Sequence, residues 1–198
     1  MLEQRIQQQF FDSADLKYQA AEALTRPIAD AVQAVLGCIT SGGKVVVCGS
    51  GPAATSAQYF AAQLIGRFER DRPSLPALAL SGDTALLGSV GDDADLTQVF
   101  AKQLQALGSP GDVLIVLAPQ GSAASVLAAV DAAHAKEMTV VALTGNGGGL
   151  LGAQLIETDV HICVPHDRAV RVHEVHSLVL HCICDAVDLQ LLGEQDNT

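Results

Sequence analysis

Basic side chains are scarce in this chain. Lys and Arg total 11 against 22 Asp and Glu, the formal net charge is −11, and the basic residues form no run. Nucleic-acid affinity rests on neutralising phosphates, so direct DNA or RNA binding is not expected. The acidic surface is compatible with a partner protein that carries a basic patch. Long hydrophobic runs are missing too: no uninterrupted apolar stretch reaches the length of about 18 residues that marks a membrane span. The opening Met1-Leu2-Glu3-Gln4-Arg5 is polar and lacks the apolar segment of a signal peptide. A cytoplasmic location follows as the expectation. There is no tryptophan, and no internal repeat, low-complexity segment or linker breaks the chain. Residues 1–198 are therefore expected as a single domain, with 1–40 as N-terminal helices used in oligomerisation and 41–198 as an α/β core. The five cysteines are odd in number and sit in apolar settings, which reads as buried thiols rather than a disulfide framework.

Residues 2–24 show Leu2, Ile6 and Phe10 four apart, a helical spacing. Thr25-Arg26-Pro27 reads as a restart, with Thr25 as cap and Pro27 early in a second helix that ends before Gly42-Gly43. Beyond that point the pattern changes. Short apolar runs at 44–48, 77–80, 112–118, 139–143 and 160–164 alternate with helical segments at 53–68, 96–107, 122–136 and 148–155. Continuous hydrophobicity predicts strands buried on both faces of a parallel sheet. The expected fold is a doubly wound five-stranded α/β sandwich preceded by a helical pair and closed by a long helix from Arg168 to Leu192. In such sheets ligands bind beyond the carboxyl ends of the strands.

Two loops lie there. The first, Gly49-Ser50-Gly51-Pro52-Ala53, follows an apolar strand and opens a helix. The second, Ala118-Pro119-Gln120-Gly121-Ser122-Ala123, does the same. Strand, small-residue turn and helix is a geometry that aims backbone N–H groups at an anion. What the loops lack is hydroxyls: Ala53, Ala118, Pro119, Gln120 and Ala123 stand where hydroxyl side chains would finish the site. Ser50, Gly51, Gln120, Gly121, Ser122 and, after the second strand, Asp93 remain as candidate ligand contacts. The densest titratable cluster is His173-Glu174-Val175-His176 with His181 on the last helix. An imidazole and a carboxylate on one helix face can shuttle protons in an aldose–ketose isomerisation. The alternatives are a polar face hydrogen-bonded across a subunit contact, or a metal site, although His–His spacing of three is not the spacing of the common zinc helix.

The stretches Ala57-Gln58-Tyr59-Phe60-Ala61-Ala62-Gln63-Leu64, Arg72-Pro73-Ser74-Leu75-Pro76-Ala77 and Arg171-Val172-His173-Glu174-Val175-His176 resemble the sugar isomerase (SIS) domain family, in the branch that holds phosphoheptose isomerase and the replication regulator DiaA. Isomerases of this branch carry a His and a Glu on the helix after the first loop, and a Gln and a His on the last helix. These bind substrate and, in many members, zinc. The corresponding positions here are Tyr59, Gln63, His173 and His181. Only His181 keeps the family's residue type, and Gln63 cannot act as a base. No catalytic residue is thus assigned; His181, Gln63 and His173 stand as vestigial candidates, with no metal and no cofactor expected unless zinc accompanies an isomerase. The resemblance, together with the missing hydroxyls, predicts a non-catalytic scaffold similar to DiaA: a homotetramer that binds a DnaA-type initiator, partly through Leu191 or Leu192. The alternatives are a sugar-phosphate isomerase acting on sedoheptulose 7-phosphate through an altered site, or a sugar-phosphate sensor.

Overall fold

The computed structural model describes residues 1–80, 83–92 and 95–194. The chain runs α1 (Leu2–Thr40), β1 (Val45–Gly49), α2 (Ala53–Ile65), β2 (Ala77–Ala79), α3 (Thr84–Asp92), α4 (Val99–Leu107), β3 (Val113–Ala118), α5 (Ala124–Ala135), β4 (Thr139–Gly145), α6 (Gly149–Gln154), β5 (Val160–Val164) and α7 (Ala169–Leu192). The five strands form one parallel sheet in the order β2-β1-β3-β4-β5. Successive strand side chains point to opposite faces. Val45 and Val47 enter a core shared with α1, α2 and α7, while Val46 and Cys48 enter one shared with α4 and α5. A strand that feeds two cores must be apolar at every position, which is why β1 and β3 read as unbroken runs.

The expected helical pair is instead one continuous helix, Leu2–Thr40, with Pro27 inside it. Proline there removes the N–H that would reach the Ala23 carbonyl. The helix continues because both halves are buried along one side: Leu16, Ala20 and Leu24 before the proline, and Ala31, Val32, Val35 and Cys38 after it. Burying a Leu or Val contributes about 1.5–3 kcal/mol, so several together outweigh the roughly 3 kcal/mol a helical proline costs. Thr25 does not cap a new helix; its Oγ1 donates to the Ala21 carbonyl at 2.6 Å. The first turns of α1 leave Leu2, Ile6, Phe10 and Phe11 exposed.

By length and composition α7 is apolar enough to cross a membrane. Its buried side, however, is specified by polar partners. Asp188 is 2% exposed and accepts from Arg72 Nε at 2.5 Å. Arg72 also donates to the carbonyls of Leu64 and Gln63, both at 2.8 Å. One guanidinium thus ties the end of α2 and the loop after it to α7. Asp188→Ala leaves that cation buried without its counter-charge, and a lowered urea midpoint equivalent to about 3–5 kcal/mol is expected.

His176 is fully buried on α7, and its Nε2–H donates to the Thr144 carbonyl at 3.0 Å. Burial lowers its pKa to about 4, against an ordinary 6.5; the bond to Thr144 opposes that shift, and His173 adds to it. The unfolded chain therefore binds this proton at a higher pH than the folded chain does. Stability is full above about pH 6.5 and falls towards pH 4, by about 3 kcal/mol. Unfolding curves across this window should show the fall, and His176→Gln should flatten it.

Candidate functional site

Between β1 and β3 the chain reverses its winding direction, and the loops leaving these two strands part to open a crevice. A cavity of about 560 Å³ occupies it. Ser50, Pro52 and Ala53 form one wall, and Ala118 to Ala123 form the facing one. Leu117 lies beneath, and the start of α7 contributes Ala169, Val170, His173 and Glu174. Close approach shapes the first wall: a Cβ on Gly49 would meet the Ala53 backbone at 2.8 Å, so only glycine lets α2 begin directly at the strand end. Helix α5 starts at Ala124 with no side-chain cap. Val126 N and Leu127 N donate back to the Ala123 carbonyl, at 2.9 and 3.0 Å, which leaves the Ala124 and Ser125 amides as the donors at the cavity wall.

The sequence-derived candidates divide between two places. Ser50, Ala53, Gln120, Gly121, Ser122 and His173 line the cavity. Gly51 belongs to the first loop, exposed and in the left-handed region at φ 59°, but it is not part of the wall. His181 and Gln63 are not part of it either. His181 packs its ring against Tyr59 and Phe68, with both centroids 5.7 Å away. Seven residues keep Glu174 and His181 on one helix face yet about 10 Å apart along the axis, so they do not work on one substrate atom. Asp93 lies outside the described residues. Leu191 and Leu192 end α7, each a little over a third exposed.

The donors implied for zinc do not fit the ion. Of the four positions, Tyr59 and Gln63 bring a phenol and an amide, where zinc takes thiolate, imidazole or carboxylate; of the two imidazoles, His173 bonds Ser56 and His181 packs on Tyr59 and Phe68. Among the described residues no three His, Cys, Asp or Glu side chains gather. The buried thiols are equally unsuited: burial pushes Cys48 and Cys184 up to about 12.

Sequence reasoning missed the partners of the two α7 side chains in the cavity. His173 Nε2 lies 3.2 Å from Ser56 Oγ on α2. Glu174 accepts from Ser13 Oγ at 2.7 Å and from Arg171 Nη1 at 2.6 Å. Lys17 donates to the same Ser13 hydroxyl, and Arg171 reaches on to Gln9. Partial burial raises the Glu174 pKa, but the two hydrogen bonds and the charges of Arg171 and Lys17 outweigh it, leaving the carboxyl below its usual range. The Arg171–Glu174 spacing of three was legible as a helix-surface pair. Ser13 lies 161 residues away in sequence and carried no signal.

The second wall is locked from behind. Gly121 has φ 62°, and a Cβ on it would meet the Gly148 carbonyl oxygen at 2.0 Å. Its own carbonyl accepts from Leu151 N at 2.9 Å. Gly148 and Gly149 thus serve as packing for the wall. Gly121→Ala should cost about 2 kcal/mol or more and displace the loop, read as a lower thermal midpoint and weaker anion binding.

The model of the SIS domain matches residues 9–145. A phosphoheptose isomerase of Methylibium petroleiphilum is 66% identical over 100% of this chain and 99% of its own. One from Aromatoleum aromaticum is 52% identical over 97% of each. Among solved structures, the phosphoheptose isomerase of Neisseria gonorrhoeae superposes with a TM-score of 0.90 at 40% identity, covering 95% of this chain and 100% of that one. That from Francisella tularensis gives 0.91 at 41%, covering 95% and 98%. These full-length matches overturn the non-catalytic scaffold expected above. The DnaA-type partner, and its assignment to Leu191 or Leu192, fall with it. The inference had counted side-chain hydroxyls, whereas the second wall also offers main-chain donors at the start of α5. The chain belongs to the SIS-domain family and, within it, to the phosphoheptose isomerase group.

Proposed function

We propose that the chain is an aldose–ketose isomerase of a sugar phosphate, sedoheptulose 7-phosphate, acting in the cavity between the β1 and β3 loops. The observation that carries this reading is the 66% identity, end to end, with a relative named phosphoheptose isomerase. The geometry supports it. A phosphate at the second wall meets the uncapped start of α5, where amides and helix dipole both favour an anion. Ser50 and Ser122 supply the hydroxyls that remain on the walls. From the phosphate end the sugar reaches His173 and Glu174, the two ionisable side chains on the α7 wall.

Few side-chain donors and a mostly alanine and proline wall imply weaker phosphate binding than a hydroxyl-lined loop gives, each lost charged hydrogen bond counting for about 1.5–3 kcal/mol. Because the zinc donor set is missing, no step runs through a metal. The same reading takes residues 1–198 as one SIS unit, cytoplasmic and assembled as a homotetramer. The exposed apolar side chains of α1, with Leu178 and Leu189 of α7, are the surfaces that assembly would cover.

Incubation of the purified chain with sedoheptulose 7-phosphate, followed by NMR, should show conversion to the aldose heptose 7-phosphate. Dialysis against a chelator should leave the rate within about twofold. No product with the untreated protein would defeat the isomerase reading; loss of activity on chelation, restored by zinc, would defeat the metal-free one.

A further inference from the structure

We propose that His173 is the base that moves the substrate proton, and that Ser56 positions it; this rests on the isomerase reading. An aldose–ketose isomerisation needs one group to take a proton from a carbon and return it to the neighbouring one. Gln63 cannot do so, and neither it nor His181 lines the cavity. Glu174 does line it, yet both its carboxylate oxygens are already held, Oε2 by Ser13 and Oε1 by Arg171. His173 has no such occupation. The one hydrogen bond of its ring among the described residues joins Nε2 and Ser56 Oγ, at 3.2 Å, and Ser56 stands outside the cavity wall. Nδ1 is left for the substrate.

The serine hydroxyl suits both halves of the reaction, since it can either accept from Nε2–H or donate to Nε2. With the proton on Nε2, Nδ1 presents a lone pair. It takes the proton from C1 of the ketose; the C–H electron pair forms the C1–C2 double bond and the carbonyl oxygen on C2 gains a proton. In the resulting enediol, Nδ1–H returns its proton to C2, and the hydroxyl on C1 loses its proton and becomes the carbonyl. The proton lost at one oxygen balances the one gained at the other, so no oxidant or reductant enters. The imidazole at 173 stands where the resemblance implies a glutamine. The chain that lacks a carboxylate at position 63 thus carries a proton carrier on the α7 wall of the cavity.

The test uses the full chain in D2O with sedoheptulose 7-phosphate, reading kcat, KM and deuterium at C2 of the product by NMR. Wild type should turn over and incorporate deuterium. His173→Gln should lose about 100-fold or more in kcat, with deuterium incorporation lost in parallel and KM within about threefold. Ser56→Ala should lower kcat about tenfold at unchanged KM, and Ser56→Thr, which keeps the hydroxyl, should recover most of it. Thermal unfolding of each variant checks that it folds. A folded His173→Gln that keeps kcat within threefold overturns the assignment, and loss of exchange in Glu174→Gln alone would move the base to the carboxylate. A wild-type chain without turnover overturns the isomerase reading and this assignment together. Turnover with an unaffected His173→Gln removes only the latter.

Discussion

The cavity depends on one pairing, that of β1 with β3. They run parallel from Val45 opposite Val113 to Gly49 opposite Leu117. That register brings both strands to an end at nearly the same height. The chain then leaves them in opposite directions across the sheet, and no connection can fill the gap between. The start of the pair is fixed as firmly as its end. Asp112, almost fully buried, accepts from Lys44 N at 2.9 Å, from Lys44 Nζ at 2.5 Å and from Ser109 N at 2.9 Å. A slip of one residue would break these bonds and turn every side chain to the wrong core. The two loops, and through them the helices that follow, inherit their positions from this register.

Much of the fold was legible because the sheet has little freedom in composition. Val113 to Ala118 is buried at every position, so its sequence is apolar at every position. Helix α3, by contrast, went unread: Thr84–Asp92 contains Gly88 and Gly91, which weaken helical propensity and blur the period. Pro27 misled for the opposite reason, a strong local signal overridden by burial on both sides of it. The pairing of Asp188 with Arg72 carried no signal, since the two lie 116 residues apart.

The site was legible in its loops and not in its contacts. Strand-turn-helix patterns located both walls, and the cluster His173-Glu174 located the third. Which imidazole faces the cavity is a matter of about two helical turns, and spacing on a helix says nothing of height above the sheet. The missing hydroxyls were read correctly as residues, but the scaffold function drawn from them is overturned by the full-length matches. Amides at a helix start have no letter in the sequence, yet they are fixed donors that no substitution except proline removes. Pro119, the one proline in the second loop, precedes α5 by five residues and leaves the first-turn amides of that helix intact.

The lashing of Glu174 to Ser13 has a consequence for how the chain comes together. Helix α1 is synthesised before its partner α7. Until α7 is made, Leu16, Ala20 and Leu24 have no complete core to enter, and the wall that carries Glu174 does not exist. Contacts this distant in sequence close late, after the entropy of a long intervening loop has been overcome. Until then the nascent protein carries an uncovered apolar stripe on α1, a surface of the kind that aggregates or engages chaperones. Closing the cavity and covering that stripe are thus one event.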